Sequence, residues 1–411
     1  MSPLRVLVIS LQVGGTASKG HLNPLVGVVQ WLMSRGHQVS WLPLPAAFGP
    51  ADRAQLADVG VEVVEPPPLP PGALPSHAEL NVISMDPTRI WEAYRAFLLD
   101  PVPHLLPEID ALLRRLRPDI ALIDTMAYTG IIACEQAGVP WVGACAGLKL
   151  LHPPGFSAAY RGDMSAVVAP RAELFARYGL APDFRLFECP SPAANVVFGT
   201  EELVGAADPP THTWLVGPSI PPRRRGDETE FPFDRIAGRK PLVYAAFGSV
   251  HTRLKLDDVV DPLVSATAKL GATLVISSEI VVDSGAVLPD HVIAVRYTPQ
   301  LKLLERADAF VTHGGANSVM EGMFSGVPLL VVPLTSDQPW QAELVDRARA
   351  GVSLEREDVT TDSAMSALTR LLDPDGPIRA SVDRIQRAYR AKDGARRAAE
   401  LVEEIASHPA R

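Results

Sequence analysis

A histidine and an aspartate in the first half of the chain are of the residue types needed for general-base catalysis. His21 follows the apolar run Arg5 to Ser10 and a glycine-rich stretch, and Asp124 directly ends the apolar run Ile120 to Ile123. Because the carboxyl ends of parallel strands meet at one edge of an α/β sheet, both side chains are expected at that edge. A histidine has an unperturbed pKa of about 6.5, and a carboxylate can hold its tautomer and stabilise its cation. The pair is therefore predicted to take a proton from a substrate hydroxyl.

The residues around His21 predict a helix start. Asn23 is of a type favoured at the N-cap, and Pro24 is of a type favoured as the first helical residue. The positive end of that helix would favour the neutral imidazole, which is the form that accepts a proton. The alternative for a histidine without this context is a buried structural role, so its position at the strand end is what favours catalysis.

A glycine turn in the second half of the chain is suited to binding an anion. The apolar strand ending at Thr312 runs into His313, Gly314 and Gly315 before a helical pattern that continues through Met320. Glycines let the backbone approach a ligand closely, and the amides and positive end of a helix attract phosphate oxygens. The turn therefore predicts a pyrophosphate site, with an ordinary strand-to-helix turn as the alternative.

Further polar residues in this region have both a structural and a functional interpretation. Ser318 and Glu321 have the spacing of a capping box, which would only stabilise a helix start. Asp337 follows the apolar run Leu329 to Leu334 and precedes Pro339, so it is a candidate N-cap. Spacing alone leaves both interpretations open.

The stretch Arg296 to Gln341 resembles the nucleotide-sugar signature of the UDP-glycosyltransferase superfamily, and the resemblance extends to both halves of the chain. It is closest in style to bacterial enzymes that glucosylate macrolides and similar natural products. The resemblance implies the GT-B fold, an α/β architecture in which two Rossmann-like parallel-sheet domains face each other across a cleft. It also implies an inverting, metal-independent hexosyltransferase with a nucleotide diphosphate sugar as co-substrate and no cofactor. UDP-glucose is the favoured donor, TDP is the alternative nucleotide, and the acceptor is a small apolar molecule with a hydroxyl group.

The resemblance also assigns roles to individual residues. The catalytic pair of the family corresponds to His21 and Asp124. The donor-binding residues it implies are those for the phosphates and ribose (Gly248, Ser249, His313, Gly315, Asn317, Ser318 and Glu321), the nucleobase (Tyr297, Thr298 and Gln300) and the sugar (Asp337 and Gln338). Tyr297 replaces the tryptophan usual in the family. Stacking on the base is still expected, while the preference between uracil and thymine stays open.

The acceptor is expected to bind the first domain, where the segments Asn81 to Leu99 and Leu148 to Phe156 are rich in apolar and aromatic side chains. The loop from Leu11 to Lys19 is longer than is usual in the family, and it is expected either to cover the acceptor or to shift the catalytic histidine. Two other functions use the same scaffold. A nucleotide-sugar epimerase would act without an acceptor, and a non-catalytic binding or activator protein would have no use for the base.

Two apparent phosphate or metal motifs are set aside. The segment Gly15 to Gly20 has the glycine spacing of a P-loop, but His21 and Leu22 follow it in place of Lys and Ser or Thr. Asp373 to Asp375 has the D-x-D pattern of metal-dependent glycosyltransferases, but Gly376 completes a Pro-Asp-Gly turn signal. No metal site is predicted.

The elements that position these residues follow a βαβ pattern. A chain of 411 residues fits two domains of about 200 residues, and short β-branched runs alternate with helical patterns throughout. The first domain is predicted over residues 1–207, a proline-rich linker over 208–240, the second domain over 241–383, and helices that pack across both domains over 384–411, with a break near Gly394. The predicted strands are Arg5–Ser10, Gln38–Leu44, Val61–Glu65, Asp119–Asp124, Trp141–Ala146, Asn195–Thr200, Leu242–Gly248, Thr273–Ser278, Val292–Tyr297, Ala309–Thr312 and Leu329–Leu334.

Composition excludes several classes of protein. A net charge of -9 and a pI near 5.6 give no electrostatic reason to expect a nucleic acid as partner. No apolar run approaches the ~20 residues that a transmembrane helix needs, which leaves only peripheral membrane contact open. Cys134, Cys145 and Cys189 are odd in number and have no CxxC spacing, so they are predicted to be reduced core residues of a cytoplasmic protein.

Overall fold

The structure, a computed structural model, describes residues 2–12, 19–76, 79, 82–83, 86, 89–152, 165–205, 208–248, 255–285 and 287–408. The chain divides into two compact units: unit 1 is Met1–Phe198, Ala207–Gly226 and Asp393–Arg411, and unit 2 is Gly199–Ala206 and Asp227–Lys392. None of the described helices combines the length and the apolar character that crossing a membrane requires.

Unit 1 contains a seven-stranded sheet in which every pair of neighbouring strands is parallel. The strands are β1 (Arg5–Leu11), β2 (Gln38–Leu44), β3 (Glu62–Val63), β4 (Ile120–Asp124), β5 (Trp141–Cys145), β6 (Ala194–Val197) and β7 (Thr213–Leu215). Their order is β3-β2-β1-β4-β5-β6-β7, which is the doubly wound order of a Rossmann fold with one added edge strand. Every residue of β4, β5 and β6 is buried, as expected for parallel strands covered on both faces.

Six helices of unit 1 lie within the described part of its first segment, residues 1–198. They are α1 (Lys19–Ser34), α2 (Pro50–Val59), α3 (Ile90–Leu98), α4 (Val102–Leu116), α5 (Tyr128–Ala137) and α6 (Ser165–Arg177). The helix α4 shows why they form: Leu105, Ile109 and Leu112 recur at helical spacing and are all buried in the core. A short 3₁₀ turn spans Lys149–Leu151.

Unit 2 contains a six-stranded sheet, also parallel throughout. Its strands are β8 (Leu242–Ala246), β9 (Thr273–Ser277), β10 (Val292–Val295), β11 (Ala309–Thr312), β12 (Leu329–Val331) and β13 (Gly351–Ser353), in the order β10-β9-β8-β11-β12-β13. Its described helices are α7 (Glu201–Val204), α8 (Asp257–Lys269), α9 (Glu279–Asp283), α10 (Gln300–Leu304), α11 (Ala316–Ser325), α12 (Gln338–Arg347), α13 (Thr361–Leu371) and α14 (Pro377–Arg390). The prediction of two Rossmann-like parallel sheets is confirmed.

Two strands differ from the predicted pattern. The strand β7 lies inside the stretch 208–240 that was predicted as a linker, and it pairs with β6 at the edge of the first sheet. The strand β13 was not predicted, and it pairs with β12. Both are three residues long, and β7 is only partly buried and lies between proline-rich segments. Such short edge strands have too few residues to show an apolar alternation.

The C-terminal helices break near Gly394, as predicted: α14 is followed by α15 (Gly394–Ser407). The helix α14 lies in unit 2, whereas α15 lies in unit 1 and packs on α1. At the start of α15 the backbone lies close to that of residues 217–218. The Gly394 amide donates to the Pro218 carbonyl at 3.0 Å. A Cβ at position 394 would lie 2.2 Å from the Gly217 carbonyl oxygen, so only glycine fits there.

One buried carboxylate joins α15 to the turn that follows α1. Glu403 Oε1 accepts from Arg35 Nε at 2.6 Å and lies 2.7 Å from His37 Nε2. Burial would raise the pKa of Glu403, but the hydrogen bonds from Arg35 and His37 outweigh it, and the pKa lies below its usual range. The contact therefore stabilises the charged form of Glu403.

Candidate active site and donor site

The structure brings His21 and Asp124 together at the carboxyl edge of the first sheet. The distance from His21 Nδ1 to Asp124 Oδ2 is 2.6 Å. Asp124 is the last residue of β4, and its other oxygen, Oδ1, accepts the Met126 amide at 2.9 Å. The Asp124 side chain is 1% exposed and that of His21 is 20% exposed, so a substrate can reach the histidine and not the aspartate.

The helix that carries His21 begins earlier than predicted. It starts at Lys19, so Asn23 is not its N-cap and Pro24 lies inside it. Asn23 is buried, and its Oδ1 accepts from Gln55 Nε2 at 3.1 Å. The local capping preferences are overridden because α1 is packed against the sheet and α15, and Pro24 costs the helix only one amide donor. His21 consequently lies in the first turn of α1, still near its positive end.

The hydrogen bond to Asp124 determines what the imidazole can do. A carboxylate accepts hydrogen bonds only, so Nδ1 of His21 carries the proton and Nε2 is left with a lone pair. Nε2 can then take a proton, and the imidazolium that forms is stabilised by the buried carboxylate. This arrangement is suited to general-base catalysis.

The predicted phosphate turn of unit 2 is built around His313. Cβ atoms placed on Gly248 or Gly315 would each lie 2.6 Å from His313 Nε2, so the end of β8 and the end of β11 meet on one imidazole. Gly248 and Gly314 have φ of 81° and 85°, a conformation that favours glycine. Ser249 lies outside the described residues. The two turns therefore lie together beside the start of the helix that follows β11.

The helix α11 begins directly at this turn. Gly315 is its N-cap, with extended backbone and no side-chain hydrogen bond to the first amides. Ser318 is the third helical residue and not the N-cap, so the capping-box alternative for Ser318 and Glu321 is wrong. Asn317 and Ser318 lie in the first turn, where amide groups and the helix dipole favour negative charge.

The predicted nucleobase and ribose residues form one hydrogen-bonded network. Gln300 Nε2 donates to Glu321 Oε2 at 2.8 Å. Gln300 Oε1 accepts from the Tyr244 hydroxyl at 3.1 Å, and that hydroxyl is 2.6 Å from Thr298 Oγ1. The Tyr297 ring, a possible platform for a base, is 48% exposed. The network links the end of β10 to α11.

Two residues that bond to the predicted nucleobase residues were missed from the sequence. Tyr244 lies in the apolar run of β8, where an aromatic residue signals only core, and its ring stacks on Phe310 at 4.8 Å. Glu279 begins α9, and it accepts a hydrogen bond from the Tyr297 hydroxyl. Its position one residue after the predicted strand at 273–278 is the signal that would have found it.

The predicted sugar pair lies at the start of α12. Asp337 is at the N-cap position but makes no capping hydrogen bond, and its Oδ1 accepts from the Ser336 hydroxyl at 3.2 Å. Gln338 Oε1 accepts the amides of Leu334 and Thr335 at 2.8 and 2.9 Å. The side-chain oxygen of Gln338 is therefore bonded to the loop before α12. Its side-chain N–H groups are the ones suited to bind a sugar hydroxyl.

A second buried carboxyl group near the catalytic pair was also missed. The Thr125 hydroxyl donates to Glu188 Oε2, and Lys149 Nζ lies 3.9 Å from Glu188 Oε1. The pKa of Glu188 is raised to about 7, because burial and the charge of Asp124 raise it by more than Lys149, Thr125 and His21 lower it. Glu188 lies in an irregular segment before β6, so no strand or helix pattern marks it.

The remaining predictions concern metals, cysteines and loops. In the part of the chain that the structure describes, no cluster of three or more His, Cys, Asp or Glu residues is suited to a metal ion. Asp373 Oδ1 accepts the Asp375 amide at 3.1 Å in a turn before α14. The three cysteines are free and buried, as predicted. Of the predicted acceptor segments and the loop before α1, residues 13–18, 81, 84–85, 87–88 and 153–156 fall outside the described ranges.

Comparison with known proteins agrees with this architecture. Residues 262–407 match the family model described as Erythromycin biosynthesis protein CIII-like, C-terminal domain. The chain is 26% identical over 401 residues to the NDP-glycosyltransferase YjiC of Bacillus licheniformis, covering 93% of this chain and 94% of that protein. It is 28% identical over 419 residues to the oleandomycin glycosyltransferase of Streptomyces antibioticus, covering 96% and 90%. The crystal structure of the glycotransferase of kitacinnamycin matches with a TM-score of 0.73 at 26% identity, covering 98% of this chain and 99% of that one. The chain therefore has the GT-B fold, and it resembles the glycosyltransferases of bacterial natural-product biosynthesis.

Proposed function

We propose that this chain is an inverting hexosyltransferase that moves a sugar from a nucleotide diphosphate carrier to a hydroxyl group of a small apolar acceptor. UDP is the proposed nucleotide, TDP is the alternative, and glucose is the proposed sugar. The observation that carries the proposal is the 2.6 Å hydrogen bond between His21 Nδ1 and Asp124 Oδ2 at the sheet edge. The names of the relatives, an NDP-glycosyltransferase and an oleandomycin glycosyltransferase, support it.

In the proposed mechanism His21 acts as the general base. Its Nε2 takes the proton of the acceptor hydroxyl as the oxygen attacks the anomeric carbon, and the bond to the nucleotide diphosphate breaks in the same step. Asp124 stabilises the imidazolium while it exists. A single displacement inverts the anomeric configuration, so an α-linked donor gives a β-glycoside.

Unit 2 is proposed to hold the donor. The amides at Gly315 and the first turn of α11 stabilise the negative charge that develops on the leaving diphosphate. Glu321 accepts the ribose hydroxyls, and Tyr297 stacks on the base. Asp337 and the Gln338 amide bind sugar hydroxyls. The proposed charge stabilisation comes from backbone dipoles, so the reaction needs no metal ion.

The experiment that tests this proposal is product formation by the purified protein. UDP-glucose and TDP-glucose are each incubated with a panel of apolar alcohols, including macrolide, polyketide, flavonoid and carotenoid aglycones, and products are detected by mass spectrometry. We expect glycosides that also form in the presence of EDTA. His21→Ala should abolish them while titration calorimetry still shows UDP binding, because the base and the donor residues belong to different units.

The other functions give different results in the same experiment. Conversion of the sugar nucleotide in the absence of any acceptor would identify an epimerase instead. Donor binding without product across the whole panel would favour a non-catalytic binding protein. Turnover of His21→Ala within about tenfold of wild type, roughly 1.4 kcal/mol of barrier, would remove the proposed base.

A further inference from the structure

Glu188 lies in a buried cluster that begins at the residue after Asp124. Its Oε2 accepts the Thr125 hydroxyl, and its Oε1 lies 3.9 Å from Lys149 Nζ. Lys149 Nζ also lies 3.4 Å from the sulfur of Met126. The side chains of Lys149 and Glu188 are 6% and 2% exposed, so this ion pair is held out of water. A buried pair of this kind adds little net stability, which makes a role beyond stability worth testing.

The backbone around Glu188 is also tied to the turn that follows β4. The Cys189 amide donates to the Thr125 carbonyl at 2.8 Å, and the Tyr128 hydroxyl donates to the Phe187 carbonyl at 2.6 Å. The segment 187–189 therefore contacts both Thr125 and Tyr128, on either side of Met126. The Met126 amide donates to the Asp124 carboxylate and orients it. The segment 187–189 therefore holds in place the turn after β4, on which that orientation depends.

The contact between Glu188 and Thr125 persists in both protonation states of the carboxyl group. When Glu188 is ionised, the Thr125 hydroxyl donates to it. When Glu188 is protonated, its O–H can donate to Thr125 Oγ1, and the threonine hydroxyl can turn to the Ala144 carbonyl at 3.4 Å. The charge at this position can thus change without loss of the hydrogen bond.

We propose that Glu188 is a positioning residue for the His21–Asp124 pair: its bond to Thr125 fixes the turn that orients Asp124, and its charge acts on the imidazolium that forms at His21 during the reaction. The proposal rests on the function proposed above. The titratable or charged groups that interact with Glu188 are Lys149, His21, Asp124, Cys145, Cys189 and Tyr128. Of these, Lys149 and His21 favour the ionised carboxylate.

The sign of the effect follows from electrostatics. Because burial raises the pKa of Glu188 to about 7, its negative charge is gained as the pH rises through neutrality. That charge attracts the imidazolium that forms at His21 when the substrate proton is taken. Glu188→Gln keeps an oxygen that accepts from Thr125 and removes the charge. The apparent pKa of the acid limb of kcat/KM should then fall, by about half a pH unit, the size that one charge in a partly solvated site produces.

The experiment measures kcat and kcat/KM from pH 5.5 to 9 for wild type, Glu188→Gln and Thr125→Val, each with a thermal melt. Thr125→Val removes the hydroxyl and keeps the shape, and it should lower kcat more than it changes KM; Thr125→Ser should restore kcat. Glu135→Gln is the matched control, because Glu135 is a carboxylate of the same unit whose Oε1 accepts from Trp141 Nε1 at 2.7 Å, at the first residue of β5. Its profile should superimpose on wild type.

Two results would overturn this proposal and leave the proposed function standing: a Glu188→Gln profile that superimposes on wild type, or a Thr125→Val variant with wild-type kcat, in either case with His21→Ala inactive. If Glu188→Gln fails to fold, the comparison of Thr125→Val with Thr125→Ser decides. Wild-type turnover by His21→Ala would instead overturn the proposed base, and this proposal with it.

Discussion

Asp124 uses its two carboxylate oxygens for different partners. Oδ1 accepts the Met126 amide at 2.9 Å, and Oδ2 lies 2.6 Å from His21 Nδ1. The first bond fixes the plane of the carboxylate, and the second therefore has a defined direction. The orientation of the imidazole thus depends on the main chain two residues beyond Asp124, which is why the contacts of Thr125 and Glu188 matter for His21.

Replacement of Asp124 by Asn tests the tautomer argument. The amide fits the same space, but its N–H can donate to His21 Nδ1, which would move the ring proton to Nε2 and remove the lone pair that accepts the substrate proton. We expect turnover to fall by about a hundredfold or more with an unchanged melting temperature. Steady-state kinetics over a range of pH measures it.

The control for this variant is Asp119→Asn. Asp119 immediately precedes β4, at the opposite end of the strand from Asp124, and pairs with Arg5 at 2.7 Å near the surface. Its loss should leave turnover unchanged. Equal rates and pH profiles for Asp124→Asn and wild type would contradict the role of Asp124.

At the scale of the elements, the ends of β8 and β11 lie close together because glycines leave space for the His313 ring between them. Gly248 and Gly315 lie against His313, and a Cβ on either would collide with the imidazole at 2.6 Å. The close fit lets two strand ends and the start of α11 present their amides together. A binding surface made of main chain has few side chains to rearrange, so it is sensitive to a single added methyl group.

Gly248→Ala should therefore abolish donor binding while unit 1 stays intact. The methyl group would collide with His313, and the φ of 81° is itself unfavourable for alanine. We expect the affinity for UDP, measured by titration calorimetry, to fall by at least about tenfold. Gly271→Ala is the matched control, because Gly271 has a φ of 63° but nothing within 4 Å of an added Cβ. Wild-type UDP affinity for Gly248→Ala, matching that of the control, would contradict the proposed role of the Gly248 turn in donor binding.

Asp337→Ala separates sugar recognition from helix capping. Because Asp337 makes no capping hydrogen bond, its loss should raise KM for the nucleotide sugar and lower turnover while the affinity for free UDP and the melting temperature stay nearly constant. Hydrogen bonds to a charged group contribute about 1.5 to 3 kcal/mol each, so the effect on UDP-glucose should be clear in calorimetry. Glu343→Ala, on the same helix and paired with Arg347, is the control. Equal weakening of UDP and UDP-glucose would leave the sugar role unsupported.

The sequence was most informative where function depends on the ends of regular strands. His21 and Asp124 are 103 residues apart, yet each follows a strongly apolar run, so the topology of a parallel sheet was enough to predict that they meet. It was least informative where tertiary contacts decide. Pro24 has a strong local preference for a helix start, but packing of α1 extends the helix by five residues before it.

Glu188 and β7 show two other limits. Glu188 reaches Thr125 from 63 residues away through an irregular segment, and neither its type nor its spacing distinguishes it from a surface carboxylate. The strand β7 is formed by pairing with β6, since its own three residues carry too little pattern to predict a strand. In both cases the decisive information lies in long-range contacts.

At the scale of the whole molecule, the chain returns to unit 1 at its end. The helix α15 packs on α1, the helix that carries His21, and Glu403 ties the two together through Arg35 and His37. The position of His21, the proposed base, therefore depends on residues near the C-terminus. Truncations there are expected to affect unit 1 and not the donor site.

Glu403→Gln tests this tie. The variant should unfold more easily by about 1 to 3 kcal/mol at pH 7, because it removes a buried charge-assisted contact and leaves Arg35 and His37 facing a neutral group. The pKa of Glu403 is lowered in the folded protein, so the stability it contributes is fully present above its ordinary pKa of 4.5 and is lost as the pH falls through its lowered value. Denaturant unfolding at pH 7 and pH 3.5 should show a smaller difference at the lower pH.

Glu404→Gln is the control for this measurement. Glu404 is the next residue on α15, is 55% exposed and pairs with Arg397 on the same helix at 2.6 Å. Its replacement should change stability by less than about 0.5 kcal/mol. A Glu403→Gln variant as stable as this control at pH 7 would show that the pair contributes nothing to the α1–α15 contact.

The division of the chain between the units has a consequence for building chimeric enzymes. A donor module that is exchanged from residue 227 to the C-terminus would carry a foreign α15 with it and would replace one side of its contact with α1. A module from Asp227 to Lys392 leaves α15 with the α1 of the same chain. Residues 199–206 are exchanged with it, because they also belong to unit 2. Recombination of the two units therefore needs four junctions, after residues 198, 206, 226 and 392. A single junction in the middle of the chain would divide a structural unit.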